Sequence, residues 1–377
     1  MGPLAGRQGR HRARLEGGPR LRFYLQPLPV GRRRLADYGD EKLERLTTAA
    51  EPLQGARVLH LIAAGARLPA TPPLYRDLGI EAELAALVGA GEVQNGLRGG
   101  ETAMSDAGWA SYRQTTAELL GGWDVVVSHD LPASGVSVLL LTADPAVADE
   151  RVRELVAATP LAVEAVEAID PLAPGCVDLP VALAGDLVRC LGVDTRRPSC
   201  VQVDAFDSWQ DPQDVIDAFE LAKAELPDLQ LVLAGRAGWG PLREVSDYAR
   251  ADVVLAAEAG EVELNALLQI ARVALESALA PGSAVSALEA LWKRTPVISA
   301  GRRSATHPVR DGQDGYLVDT PELAAERLVE LVRDPSLAIE LGASGHELVR
   351  EQRLVTRLVE NELGLVTKAR TATFQSP

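Results

Sequence analysis

The sequence predicts an α/β fold with parallel sheets in two successive domains. Three observations carry that expectation. Short Val/Ile/Leu runs without polar alternation recur along the chain, as in strands covered on both faces of a parallel sheet. Longer amphipathic stretches with helix-capping residues lie between them, and strand–helix–strand order implies right-handed crossovers. The length, 377 residues, is that of two domains at roughly 100–200 residues each.

The strands read in order as Arg57–Ile62 (RVLHLI), Trp123–Ser128 (WDVVVS, ending at His129-Asp130), Cys200–Val203, Leu229–Ala234 (LQLVLA), Asp252–Ala256 (DVVLA) and Thr295–Ser299 (TPVIS). Between them, Asp211–Glu225 opens with Asp-Pro and carries Val215, Ile216, Phe219 and Leu221. An acid caps a helix N-terminus, and proline suits its first turn. Pro321–Arg333 follows Thr320, a natural N-cap. The late segment Leu341–Leu363 is helical and charged, with His346 expected on its surface. Pro69, Pro72 and Pro73 argue against a regular helix after the first strand. Pro171, Pro174, Pro180 and Pro198 mark residues 169–198 as the interdomain link. The expected organisation is a basic, disordered leader over 1–34, a domain over 35–175, a second over 190–350, and a C-terminal helix and tail over 351–377.

Composition excludes several classes. A formal charge of −15 argues against a general nucleic-acid binder, which needs a basic face. The leader holds Arg7, Arg10, Arg12, Arg14, Arg20 and Arg22 but no apolar core after them, so it does not read as a secretory signal. It lacks serine, and an extended start to the chain suits it better than a transit peptide. Cys176, Cys190 and Cys200 fit neither a disulfide scaffold nor a zinc pattern, and the default setting is cytoplasmic. No apolar run is long enough to span a membrane.

Val201–Pro212 reads VQVDAFDSWQDP, Leu288–Val297 reads LEALWKRTPV, and Arg310–Asp319 reads RDGQDGYLVD, followed by a helix ending in VELVRDPSLA. With Ala168–Leu172 (AIDPL), and upstream Gly31–Tyr38 (GRRRLADY), Arg57–His60 and Leu78–Ala82, these motifs resemble the retaining glycosyltransferases of the trehalose-synthase type, which use a nucleotide-diphosphate glucose donor. The resemblance is dense in the C-terminal half and patchy in the N-terminal half. It implies the GT-B arrangement, two Rossmann-like domains facing each other across a cleft. The C-terminal domain would hold the nucleotide-sugar and the N-terminal domain the sugar acceptor, with no metal or other cofactor required. A homo-oligomer or a paralogue would be the protein partner.

The resemblance also assigns donor-site positions. In the family the first strand of the C-terminal domain runs into S-R-F-D-x-x-K-D-P, whose Arg and Lys contact the diphosphate. Cations there stabilise charge that gathers as the glycosidic bond breaks. Here those positions are Ala205 and Gln210, with Asp204 in place of the small Ser. Phe206 and Trp209 remain, and packing is their expected role. A second motif, E-G-F-G-x-x-x-x-E, becomes Pro281, Gly282, Ser283 and Ala284, with Glu289 kept as the ribose-binding acid. An acid near a helix N-terminus is also favourable on electrostatic grounds alone. The triple-glycine loop after the first strand is absent, no second histidine follows His129-Asp130, and a glycine pair gives way to Arg303-Ser304. His129 and Asp130 are cleft candidates, or a strand-end turn with a capping acid. Arg236, Arg302 and Arg303 are candidate substitute phosphate contacts, or solvated loop residues. A hydrogen bond to a charged group is worth roughly 1.5–3 kcal/mol, so losing both cations costs about 3–6 kcal/mol. Three readings follow: hexosyl transfer with retention, a catalytically impaired homologue that binds a partner or ligand, and, last, a phosphorylase, which would need basic residues at the same emptied site.

Overall fold

The computed structural model describes residues 22–26, 34–63, 71–88, 90–97, 104–141, 146, 148–204, 212–236, 252–276, 285–299 and 307–375. The chain forms two compact units, Met1–Val166 with Thr356–Pro377, and Glu167–Val355.

The first unit contains β1 (Arg22–Gln26), β2 (Arg57–Ala63), β3 (Glu81–Val88), β4 (Val125–His129), β5 (Val138–Leu141) and β6 (Leu161–Glu164), in the order β1-β3-β2-β4-β5-β6. Only the edge pair β1–β3 is antiparallel. Its helices include α1 (Asp40–Ala50), α2 (Thr71–Asp77), α3 (Gly91–Leu97), α4 (Asp106–Leu120) and α5 (Glu150–Ala157). Starting at β2, the chain adds β3 on one side and β4 on the other, so the order reverses between β2 and β4. Such a reversal is where open α/β sheets bind ligands, beyond the strands' carboxyl ends. Strand β1 lies inside the leader expected to be disordered, and its pairing from Arg22↔Val88 to Gln26↔Leu84 accounts for the difference. Helix α2 forms despite Pro72 and Pro73 because both fall in its first turn, where no backbone N–H is needed.

The second unit contains β7 (Ser199–Asp204), β8 (Gln230–Arg236), β9 (Val253–Ala259), β10 (Val273–Glu276), β11 (Val297–Ser299) and β12 (Gly315–Leu317), all parallel, in the order β12-β11-β10-β7-β8-β9. This is the doubly wound dinucleotide-binding order, with its reversal between β7 and β10. One face packs under α6 (Val181–Cys190), α8 (Glu261–Ile270) and α9 (Val285–Trp292), around Ala184, Val188, Leu264 and Leu288. The other packs under α7 (Gln213–Lys223), α10 (Pro321–Arg333) and α11 (Pro335–Gln352), around Ile216, Phe219, Leu328 and Leu341. Residues 169–198, expected as a link, carry α6 and join this core.

The late segment expected as one helix is broken at Arg353-Leu354. The Ile169 N–H donates to the Arg353 carbonyl and the Val355 N–H to the Ile169 carbonyl, each at 2.9 Å. Beyond the break, α12 (Val355–Gln375) belongs mainly to the first unit and buries Val359, Leu363, Val366 and Ala369. Among the described residues no helix is long and apolar enough to cross a membrane.

Candidate functional site

The second unit's reversal point lies between the carboxyl ends of β7 and β10, at Asp204 and Glu276. Residues 205–211 leave from one strand end and residues 277–284 from the other. The sequence-assigned donor positions Ala205, Gln210, Pro281, Gly282, Ser283 and Ala284 therefore follow the two strands flanking the reversal. They lie outside the described residues, as do Arg302, Arg303, Phe206 and Trp209. Arg236 ends β8, and its side chain is likewise not described.

Glu289 is described. It sits on α9, buried at 7% exposure. Its Oε1 lies beside Gly175, where an added Cβ would stand 3.6 Å away. One turn on, Lys293 Nζ donates to the carbonyls of Cys176 (2.7 Å) and Val177 (2.6 Å). Burial lowers the Lys293 pKa, opposed by Asp178. Asn265 Nδ2 donates to Pro174 and Val177, and Trp292 Nε1 to Cys176. Residues 174–177 are thus tied to α8 and α9, and Glu289 belongs to that buried assembly.

A polar chain closes the ends of β10 and β11. The Ser299 hydroxyl donates to Glu276 Oε2 at 2.9 Å and stands 3.3 Å from His307 Nε2. The Val309 N–H donates to His307 Nδ1 at 3.1 Å. Nδ1 is therefore an acceptor, so in the neutral ring Nε2 carries the proton and donates to Ser299. In this tautomer the histidine cannot take the serine proton, so the three residues form a relay ending on Glu276 rather than an activated nucleophile. Burial lowers the His307 pKa.

The first unit's reversal point carries a fuller titratable cluster. His60 on β2 is completely buried, and its Nδ1 lies 3.4 Å from His129 Nε2 and 3.8 Å from Glu362 Oε1. The Tyr75 hydroxyl on α2 donates to Glu362 Oε1 at 2.9 Å. Tyr75 meets the His60 ring edge-on, with centroids 5.1 Å apart. Burial pushes His60 well below its ordinary pKa, with His129 adding to the effect, and takes His129 down to about 4. Both rings are neutral at pH 7. A proton on His60 Nδ1 faces the Glu362 carboxylate and His129 Nε2 together, which leaves the His129 proton on Nδ1. His60 Nε2 has no hydrogen-bond partner among the described residues. His129 closes β4, and Asp130 follows at φ 51°, a left-handed turn residue.

Sequence reading singled out His129 and Asp130 but not His60, Tyr75, Glu362, Glu276, Ser299 or His307. One signal was present: Glu362 falls on the helix stripe of Val359, Leu363, Val366 and Ala369, so its carboxylate had to face inward. His346, expected on the surface, is half-buried, and its ring stacks on Trp292 at 4.4 Å. Among the described residues no group of three or more His, Cys, Asp or Glu could hold a metal.

A doubly wound parallel α/β unit in one chain with a second, mostly parallel α/β unit is the architecture of the GT-B glycosyltransferases. Solved structures share this fold: sucrose-phosphate synthase from Thermosynechococcus elongatus (TM-score 0.55, 15% identity, 84% of this chain and 100% of that one) and HepE from Anabaena in complex with UDP and glucose (TM-score 0.56, 13% identity, 83% and 100%). The family model of glycosyl transferases group 1 matches residues 189–347, inside the second unit. Within that class, the chain belongs to the trehalose synthase family. It is 31% identical over 412 residues to the trehalose synthase of Rubrobacter xylanophilus, covering 91% of this chain and 99% of the relative. It is also 30% identical over 212 residues to that of Pyrococcus horikoshii, covering 52% and 50%.

Proposed function

We propose that the chain transfers a hexose, glucose in the first instance, from a nucleotide-diphosphate sugar to a sugar acceptor with retention of configuration. The observation that carries this reading is the 31% identity to a trehalose synthase across nearly the whole of both chains. The second unit supports it, because the assigned donor positions follow in sequence the two strands that flank its order reversal. Glu289 on α9 is the ribose contact, and the partial positive charge of that helix's N-terminus favours an anionic diphosphate beside it. No metal is needed if side chains and helix N–H groups neutralise the diphosphate.

Ala205 and Gln210 cannot supply that charge, and Pro281 removes both a carboxylate and an N–H. The donor is therefore held weakly, and transfer is slow. These same three residues favour the second reading, a homologue whose donor site no longer turns over and whose fold serves to bind a partner. Calorimetric titration of the whole chain with ADP-glucose and UDP-glucose separates the two. Transfer predicts saturable binding with a Kd of roughly 0.1–10 mM. No saturation with either conjugate up to ~10 mM leaves only the second reading.

A further inference from the structure

At the opposite edge of the second unit's sheet, where β7, β10 and β11 begin, lies a cavity of about 500 Å³, within the range of small-molecule sites. It is lined by Arg196, Arg197, Arg272, Lys293 and Arg294 and, among the described residues, by no Asp or Glu. In a chain of formal charge −15 this is a marked local reversal of sign. The five cations differ in what they already hold. Arg197 is bound to Asp252 at 2.6 Å, and Lys293 to the carbonyls of Cys176 and Val177 and, at 3.6 Å, to Asp178. Arg196 pairs with Asp194 in open solvent. Arg272 and Arg294 have no acidic partner among the described residues.

Arg294 is held in an unusual way. Its backbone is left-handed, at φ 62°, a conformation that glycine takes freely and a side chain disfavours. Its carbonyl is packed against Gly342, where an added Cβ would stand 2.0 Å away. Its guanidinium donates to His346 Nε2 at 3.3 Å. His346 Nδ1 in turn donates to the Trp292 carbonyl at 2.6 Å, which fixes Nε2 as the acceptor. A cation after α9 offsets that helix's C-terminal partial charge, but that role does not call for a left-handed arginine. The left-handed turn caps α9, with the Thr295 N–H on the Ala290 carbonyl at 3.0 Å, a place where glycine is usual; an arginine there with no acidic partner among the described residues points to a ligand for its charge.

We propose that this cavity binds a small phosphate monoester, with Arg272 and Arg294 as its charge-bearing contacts. A phosphate dianion offers three acceptor oxygens to two guanidinium forks. The cavity has room for a sugar or nucleoside attached to that phosphate. It lies across the sheet from the donor strands' carboxyl ends and is a separate site.

The test is calorimetric titration of the full chain with glucose 6-phosphate in one arm and AMP in the other, followed by hydrogen exchange of the bound protein. At least one probe saturates with a Kd below about 1 mM. Its affinity falls about tenfold or more in R272A and in R294A, and exchange slows over residues 269–273 and 293–296. The arm that saturates tells a sugar phosphate from a nucleotide. R294G loses the affinity while Tm stays level or rises, since glycine relieves the left-handed backbone. The proposal fails if neither probe saturates by ~10 mM or if R294G binds like the parent chain. It also fails if protection is confined to residues 285–289 at the carboxyl edge.

Discussion

The two sheets reverse their strand order at comparable points, yet they furnish those points differently. In the first unit the reversal is filled by buried His60, Tyr75 and Glu362 and half-buried His129, with His60 paired to His129 and Tyr75 to Glu362. In the second unit the strands end on Asp204 and Glu276, and the chain beyond them holds Ala205, Gln210 and Pro281, the positions that the family resemblance assigns to Arg, Lys and Glu. One site has kept a tightly determined polar interior. On the proposed reading, the other has kept its frame and lost its most polar groups. A fold can preserve the place for a reaction without preserving the charges that drive it, because strand order and core packing do not depend on the loop cations.

The sharpest way to test that contrast is to restore the second site. A205R/Q210K/P281E returns two cations to the diphosphate and a carboxylate to the sugar. It should tighten nucleotide-diphosphate glucose binding by about 10²–10⁴, the equivalent of about 3–6 kcal/mol, read by calorimetry. Breaking the first site should cost stability instead. E362A leaves the buried Tyr75 hydroxyl without its acceptor and His60 without its carboxylate. It should lower unfolding free energy by about 2–4 kcal/mol in a urea titration, and E362Q by less, since the amide oxygen still accepts from Tyr75.

Acid should expose the same difference. His60 and His129 have folded pKa values below the ordinary 6.5, so the unfolded chain binds the extra protons. Their contribution is complete above about pH 6.5 and is lost as pH falls from there toward the folded value of His129, about 4. Each fully titrating histidine adds a slope of up to about 1.4 kcal/mol per pH unit. H129Q should flatten the loss between pH 7 and pH 5.5. The smallest effect belongs to S299A, which removes the Ser299–Glu276 bond and should cost about 1 kcal/mol, with the sheet intact.

Much of the fold could be read from the chain because its strands are continuous apolar runs. Arg57–Ala63, Gln230–Arg236 and Pro321–Arg333 form close to where periodicity and capping put them. Three features escaped, each for a physical reason. Pro72 and Pro73 look like breakers until they are seen to occupy a first turn. Strand β1 hides in an Arg-rich, Gly-rich leader because an edge strand needs only one partner. The His60 cluster joins residues 287 positions apart, Tyr75 and Glu362, and no local pattern links two such distant residues. The family motifs assign donor positions that, Glu289 aside, lie outside the described residues, whereas the His–Ser–Glu relay at Ser299 and His307 required the sheet itself.

The most direct test is proton NMR of ADP-glucose or UDP-glucose incubated with a disaccharide-forming acceptor such as glucose. Parallel samples would hold the parent chain and A205R/Q210K/P281E. The sugar-phosphate anomeric signal should decay slowly with the parent chain and at least about 10²-fold faster with the restored one. The product should keep the α configuration of the donor. Rapid turnover by the parent chain, unchanged by the three substitutions, or a product of inverted configuration would contradict the account.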